Sequence, residues 1–187
     1  DIKDEAQWLI RIVENLLSVT RINGENARIN TEDEVVEEII SSAVIKINKR
    51  FPEASVEVKM PEEFLMVAMD GVLIEQVLVN LLENAVLHGK TYTKIWIVVT
   101  HTPGRVEIAV EDDGQGIKES VLPVMFEGKI SSDEEESDSK RNMGIGLSVC
   151  HSIVKAHKGG MHAENRAEGG ARISFWLPMN EEDTDGY

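Results

Sequence analysis

Arg105-Val-Glu-Ile-Ala-Val-Glu-Asp-Asp-Gly-Gln-Gly116 is the stretch from which the rest of the chain can be read. Its apolar residues alternate, so Val106, Ile108 and Val110 share one face of a strand. Asp112 is in phase with them and should point toward the same apolar interior. A lone inward carboxylate is costly unless something donates to it. An exocyclic amino group of a bound purine would satisfy it, and so would a buried water or a backbone amide. Gly114 and Gly116 follow directly, either as backbone that a ligand approaches closely or simply as a turn.

On the N-terminal side, Thr93 to His101 and the turn at Thr102-Pro-Gly104 complete a hairpin with Arg105 to Glu111, and Ile95, Ile97 and Val99 share a face. Before it, Asp70 is suited to cap a helix from Gly71 to His88. Asn80 and Asn84 in Asn80-Leu-Leu-Glu-Asn84 stand four apart on that helix, on one face with Val77 and nearly in line with Leu73. Their side-chain carbonyls suit a hard cation such as Mg²⁺, which usually takes one or two protein oxygens besides phosphates and waters. They would equally serve to tie helix to loop. Glu83 lies about 100° around the helix from Asn84 and is expected to be solvated or behind the metal rather than a ligand.

On the C-terminal side, Met143-Gly-Ile-Gly-Leu147 is expected to open a helix with Ile145, Val149, Ile153 and Ala156 inward and Gly159-Gly160 as its stop. Free amides at such a helix start suit phosphate oxygens. Ahead of it, Glu127 to Asn142 contains Ser131-Ser-Asp-Glu-Glu-Glu-Ser-Asp-Ser139, which has no apolar residue to bury and reads as a lid or a plain surface loop. Its carboxylates would repel a triphosphate, so Lys140 and Arg141 are the better placed groups to meet one.

The flanking segments complete the outline. Ile2, Ala6, Leu9, Val13, Leu16 and Thr20 follow the a/d spacing of a helix that packs along a partner helix, with Asn23-Gly24 as its stop. An amphipathic helix folded onto its own domain would show a similar stripe. Residues 28 to 30 suggest a short strand, and Thr31 with Glu34 a capping box before an apolar face at Val35, Val36, Ile39, Ile40, Ala43, Val44 and Ile47. Ser55 to Lys59 and Phe64 to Met69 read as strands. So do Met161 to Asn165 and Ala171 to Leu177, joined by a turn at Glu168-Gly-Gly170. Pro178 ends the last strand, and an acidic tail follows.

Composition narrows the classes. At 187 residues and 42% hydrophobic the chain can bury one good core. A net charge of −15 argues against a nucleic-acid or acidic-membrane surface, so any phosphate is held locally. One cysteine, Cys150, excludes a disulfide framework or a cysteine metal cluster, and no apolar run is long enough to span a bilayer. The chain is expected to be soluble and cytoplasmic.

The order and spacing of these sites resemble the catalytic and ATP-binding domain of bacterial sensor histidine kinases. The likeness runs from residue 28 to 178, with the N box at Asn80 to His88, a first glycine box at Asp112 to Gly116, a partial F box around Leu122 to Phe126 and a second glycine box at Gly144 to Leu147. Residues 1 to 23 resemble the second helix of that family's dimerisation and phosphoacceptor hairpin, with wording similar to potassium-responsive Kdp-type sensor kinases. Residues 179 to 187 form the tail.

The resemblance implies a two-layer α/β sandwich of the Bergerat type, a mixed sheet with helices on one face, preceded by one long helix. It further implies ATP and Mg²⁺ as ligands. Asp112 would read the adenine amino group, Asn84 would bind the metal and Asn80 would assist there. Gly114 and Gly116 would shape the pocket, and Lys140, Arg141, Gly144, Gly146 and Leu147 would line the phosphates. The reaction would be transfer of the γ-phosphoryl group to a histidine on the hairpin. The implied partners are the phosphoacceptor helix, a response regulator and a second copy in the full-length kinase, itself the cytoplasmic part of a membrane-bound sensor. Leu87 stands where the family carries a lysine, so a phosphate contact would fall to Lys90, Lys129, Lys140 or Arg141.

None of His88, His101, His151, His157 or His162 is followed by the family's phosphoacceptor pattern. The chain is therefore expected to hold the ATP site without the acceptor histidine, beginning after the acceptor helix. Two alternatives differ in class. A GHKL-type ATPase of the gyrase and MutL kind would carry a glutamate where Asn80 stands, to activate water. A degenerate, non-catalytic module would bind only a partner protein.

Overall fold

The computed structural model describes residues 2–23, 29–88, 94–127 and 138–179. The elements run α1 (Ile2–Asn23), β1 (Glu32–Val35), α2 (Val36–Arg50), β2 (Ser55–Lys59), β3 (Met66–Met69), α3 (Gly71–His88), β4 (Lys94–Thr102), β5 (Arg105–Asp112), α4 (Asp138–Ala156), β6 (Gly160–Asn165) and β7 (Ala171–Pro178). The tail from 180 and most of the expected lid, residues 128–137, lie outside the described residues. Among the described residues no helix is long and apolar enough to cross a membrane.

Five strands form one mixed sheet in the order β2-β4-β5-β7-β6, while β1 and β3 pair separately. The β2/β4 pair is parallel and the other neighbours are antiparallel. The alternation read from β4 and β5 is realised: Ile95, Ile97, Val99, Val106, Ile108 and Val110 are buried, joined from β7 by Ile173, Phe175 and Leu177. This inner face is covered by α3, which packs on β4 and β5, and by α4, which packs on β6 and β7. α3 is apolar around most of its circumference because α2, α4 and the sheet enclose it. The opposite face of the sheet is polar and aromatic. There Arg172 pairs with Glu107 at 2.7 Å and Glu111 at 3.1 Å, and the Arg166 guanidinium lies 4.9 Å from the Trp96 ring centroid.

α3 begins as expected, with the Leu73 amide donating to Asp70 Oδ1 at 3.2 Å. Its start is also held by His157, at the end of α4, whose Nε2 accepts from the Asp70 amide at 2.9 Å.

Two expectations are corrected. The strand expected at 28–30 is instead β1 at Glu32–Val35, because Glu32 to Val35 find partners in β3, Glu32 opposite Met69 and Val35 opposite Met66. For the same reason Glu34 makes no capping box. α2 starts at Val36 after Val35, with no side-chain cap, and its first amide donates to Leu65 O at 3.0 Å.

α1 is placed so that its a/d stripe can be followed. The stripe faces away from the domain, with Ile2, Leu9, Val13 and Leu16 all exposed, while the polar Asn15 and Ser18 are buried. α1 lies along α4 and presents Arg11, Asn15, Ser18, Val19 and Ile22 inward. It docks on its own domain through a face that carries Asn15 and Ser18 with Val19 and Ile22, and among the described residues the apolar stripe has no partner.

Candidate functional site

Asp112 sits at the end of β5, opposite Ile95 in register. Its Oδ1 accepts from the Gly114 amide at 2.8 Å and, more loosely, from the Ala171 amide at 3.4 Å. Among the described residues nothing donates to Oδ2. Burial pushes the Asp112 carboxyl above its ordinary range, opposed by those two amides and by Arg166, and assisted by the charge of Asp113. His88, in the last turn of α3, is close enough to feel this carboxylate, while its own burial lowers its pKa. The end of β5 and the end of α3 thus face each other.

One turn back on α3, Asn84 is half-buried, and its Nδ2 is buried without a hydrogen-bond partner among the described residues. A half-turn of the amide would present Oδ1 in the same place. Asn80 is differently placed. It is buried, accepts from Gln76 Nε2 at 3.2 Å, and donates through Nδ2 to Asn15 Oδ1 on α1 at 3.0 Å.

Of the two places expected for Glu83, in solvent or behind the metal, the first is corrected, since its side chain is 4% exposed. It forms an ion pair with Arg50 of α2 and another with Arg11 of α1 at 3.4 Å. The helical angle away from Asn84 was read correctly. What covers that angle is two other helices rather than water.

The second glycine segment is also corrected. α4 starts at Asp138, so Gly144 and Gly146 lie inside the helix and their amides are not those of its first turn. An interior glycine costs only about 1 kcal/mol against alanine. Gly146 is buried and faces Asn80, since a Cβ added there would stand 3.9 Å from Asn80 Cγ. Leu147, expected among phosphate-lining residues, is fully buried in the core. The side chains of Lys140 and Arg141 lie outside the described residues. Lys90 and Lys129 do also.

Beside Gly146, the fully buried Cys150 Sγ donates weakly to Val77 O at 3.8 Å, and burial pushes its thiol up to about 12. Phe126, the one aromatic of the partial F box, stacks on His151 of α4 with centroids 5.9 Å apart.

Sequence reading missed the turn between β6 and β7 as part of the site. Asn165 pairs with both backbone groups of Ile117, accepting from its amide at 2.7 Å and donating to its carbonyl at 2.8 Å. Arg166 Nη1 donates to Asp112 O at 2.9 Å. The signal available was the Gly169-Gly170 pair, both with positive φ, which marks a tight approach without saying to what.

The residues present fit a purine nucleotide with a divalent ion. Among the described residues Asp112 offers a carboxylate oxygen with no donor at the end of the central strand, and Asn84 offers a buried amide nitrogen with no partner. Among the described residues there is no group of three or more acidic, histidine or cysteine side chains that could hold a metal alone. A metal would be shared with ligand oxygens, as Mg²⁺ usually is.

Comparison with known proteins accords with this arrangement. Over 177 residues the chain is 42% identical to Sensor protein KdpD of Clostridium acetobutylicum, covering 95% of this chain and 20% of that protein. Over 179 residues it is 32% identical to Sensor protein KdpD of Escherichia coli, covering 96% and 20%. The chain thus spans about a fifth of the length of these relatives. Among solved structures it resembles the nucleotide-free catalytic domain of histidine kinase ThkA, with a TM-score of 0.70 and 24% identity over 82% of this chain and 99% of that one. Full-length ShkA in complex with AMPPNP aligns with a TM-score of 0.72 and 19% identity, covering 94% of this chain and 37% of that one. Residues 69–181 match the family of histidine kinase-, DNA gyrase B- and HSP90-like ATPases, and by this match and its sensor-kinase relatives the chain belongs to that family as the ATPase-type domain of a sensor histidine kinase.

Proposed function

We propose that this chain binds ATP with Mg²⁺ between α3, α4 and the loop after β5, as the donor half of a histidine kinase. The observation that carries the reading is the half-used carboxylate of Asp112, one oxygen held by backbone amides and the other without a donor among the described residues, facing the end of α3. That oxygen can accept from a purine amino group, and the amides that fix Oδ1 keep the acceptor from turning away. When bound, ATP supplies the γ-phosphoryl group and Mg²⁺ neutralises charge on the phosphate oxygens.

The chain's own residues bind and orient. Asp112 selects the base, Asn84 places the metal, and Gly114 and Gly116 let the loop lie close to the ligand. Gly146 leaves α4 without a side chain beside Asn80, Gly144 lets the phosphates pass, and Lys140 and Arg141 meet them. Asn80 would assist at the metal through Oδ1, which accepts from Gln76, while its Nδ2 is held by Asn15 of α1.

The acceptor is a histidine other than the five in this chain, carried by the rest of the kinase. The exposed stripe of α1, Ile2, Leu9, Val13 and Leu16, is the surface on which the helical hairpin and a second copy would assemble. A response regulator receives the phosphoryl group. One solved neighbour, ThkA, is in complex with the response regulator protein TrrA.

The test is calorimetric titration of ATP and ADP with and without Mg²⁺, on wild type, Asp112→Asn and Asn84→Ala. Binding that vanishes in the first variant and loses its Mg²⁺ dependence in the second is expected. No binding at millimolar nucleotide would leave only a protein-interaction role. Acid-labile phosphate on the chain incubated alone with ATP would overturn the assignment of the acceptor elsewhere.

A further inference from the structure

The Asp112 loop is gripped from outside the helix layer. Between β6 and β7, Asn165 uses its whole amide on Ile117, accepting from the backbone N–H at 2.7 Å and donating to the C=O at 2.8 Å. Next to it, Arg166 reaches Asp112 O at 2.9 Å and Gly169 O at 3.3 Å through Nη1, and its Nε pairs with Glu111 at 3.4 Å. The guanidinium is kept from swinging away by the Trp96 ring at 4.9 Å, on the face of the sheet opposite the helices. Glu111 is fixed in turn by Arg172 at 3.1 Å. Both ends of the loop are therefore tied to one turn, Asp112 by Arg166 and Ile117 by Asn165.

A carboxylate on a free loop would swing through several hydrogen-bond directions. This one is built on a backbone whose carbonyl is held by a rigid, stacked cation. We infer that Arg166 and Asn165 are positioning residues for base selection: acting through the backbone of residues 112–117, they set the direction of Asp112 Oδ2 and so the preference for a 6-amino over a 6-oxo purine.

The inference rests on the nucleotide reading above and makes no contact of either residue with the ligand. Arg166 has a second, electrostatic consequence. Among the described residues the ionisable groups around Asp112 include His88, Asp113, Arg166 and the Glu111 that pairs with Arg166, and of these Arg166 favours the ionised carboxylate while Asp113 opposes it. Without Arg166 the carboxyl should take up its proton at a higher pH.

The experiment compares wild type, Arg166→Gln, Arg166→Lys and Asn165→Ala. Affinities for ATP and inosine triphosphate are measured across pH, and the Asp112 carboxyl carbon is titrated by NMR without nucleotide. In Arg166→Gln the ATP-to-inosine-triphosphate preference should fall about ten-fold, the scale of one misaligned hydrogen bond. The acid limb of ATP binding and the ligand-free Asp112 titration should both move up in pH. Arg166→Lys, which restores the charge, should recover the titration but only part of the preference. Asn165→Ala should lower the preference with the titration unmoved.

Equal weakening of both nucleotides in step with lower thermal stability would overturn the inference and leave a structural clamp only. An unchanged ATP-to-inosine-triphosphate preference in Arg166→Gln and Asn165→Ala would also overturn it. Failure of wild type to bind either nucleotide would sink the nucleotide reading itself, and with it this inference.

Discussion

Replacing Gly170 by alanine should be among the most damaging single-methyl additions in this chain. Gly170 has φ +87°, and a Cβ built on it would stand 1.9 Å from the Asp112 carbonyl oxygen and 2.8 Å from Asp113 Cα. Both obstacles are backbone, so no rotamer change relieves them. The left-handed conformation alone costs a non-glycine residue about 1–2 kcal/mol. To make room, the turn must retreat from β5, which breaks the Ala171 amide to Asp112 Oδ1 bond and the Arg166 to Asp112 O bond, at about 1 kcal/mol each. The sum is about 3–4 kcal/mol, which for a domain of this size lowers Tm by about 6–16 °C.

Gly169 is the internal control. It has φ +98° with no atom within 4 Å of an added Cβ, so Gly169→Ala carries conformational strain and nothing else. Its expected cost is about 1–2 kcal/mol. Thermal and denaturant unfolding of the two variants side by side isolate the clash as their difference, about 2 kcal/mol. Equal destabilisation in both would refute the claim that this turn is pressed against Asp112.

Other perturbations test other parts. Glu83→Gln should cost about 1–3 kcal/mol in denaturant unfolding, less than a fully buried pair, because the Arg11 and Arg50 side chains are 21% and 23% exposed and can turn to water. Combined with Arg50→Met, the losses should be clearly less than additive, and additivity would deny the pair. His157 donates through Nδ1 to Ile153 O at 2.8 Å and accepts at Nε2, which fits the neutral ring, and burial lowers its pKa from 6.5. Below that value the unfolded chain binds the proton more readily. Stability is therefore full above pH 6.5 and is lost as pH falls toward the folded pKa, and His157→Gln should flatten this slope, whereas an unchanged slope would assign it to His88, whose shift has the same sign. Burial raises the Asp112 pKa, so its ionised form opposes folding at neutral pH; Asp112→Asn should leave Tm unchanged or higher while abolishing nucleotide binding, and a large fall in Tm would contradict the sign.

The features legible in sequence were those with a local period. Alternation along β5 placed Asp112 on the inner face, and the 3.6-residue repeat with the Asp70 cap set α3 at Gly71–His88. The relation of Asn84 to the end of β5 followed from the family likeness. What local rules missed was decided by neighbours distant in sequence. Glu34 obeyed strand pairing with Val67 rather than a capping pattern. Gly144 and Gly146 read as a helix start because glycine disfavours helices, but that preference is weak and the helix already runs for six residues ahead of Gly144. Glu83 had no local sign of burial, since Arg11 and Arg50 lie 72 and 33 positions away along the chain. Asn165 and Arg166 carry no motif, and only the folded sheet brings them against residues 112–117. For α1 the stripe was correctly found, but the polar residues between its apolar positions turned out to be the ones that dock.

Cys150 gives this protein a built-in clock. It is the sole thiol, sealed between α3 and α4 and beside the amide of Asn80. With its pKa pushed up to about 12, it stays protonated and unreactive while the helix layer is closed. A disulfide reagent can reach it only in the moments when these two helices part. Its rate of labelling therefore times the breathing of the layer at Asn80, without introducing any probe, and a ligand that bridges α3 and α4 should slow that clock.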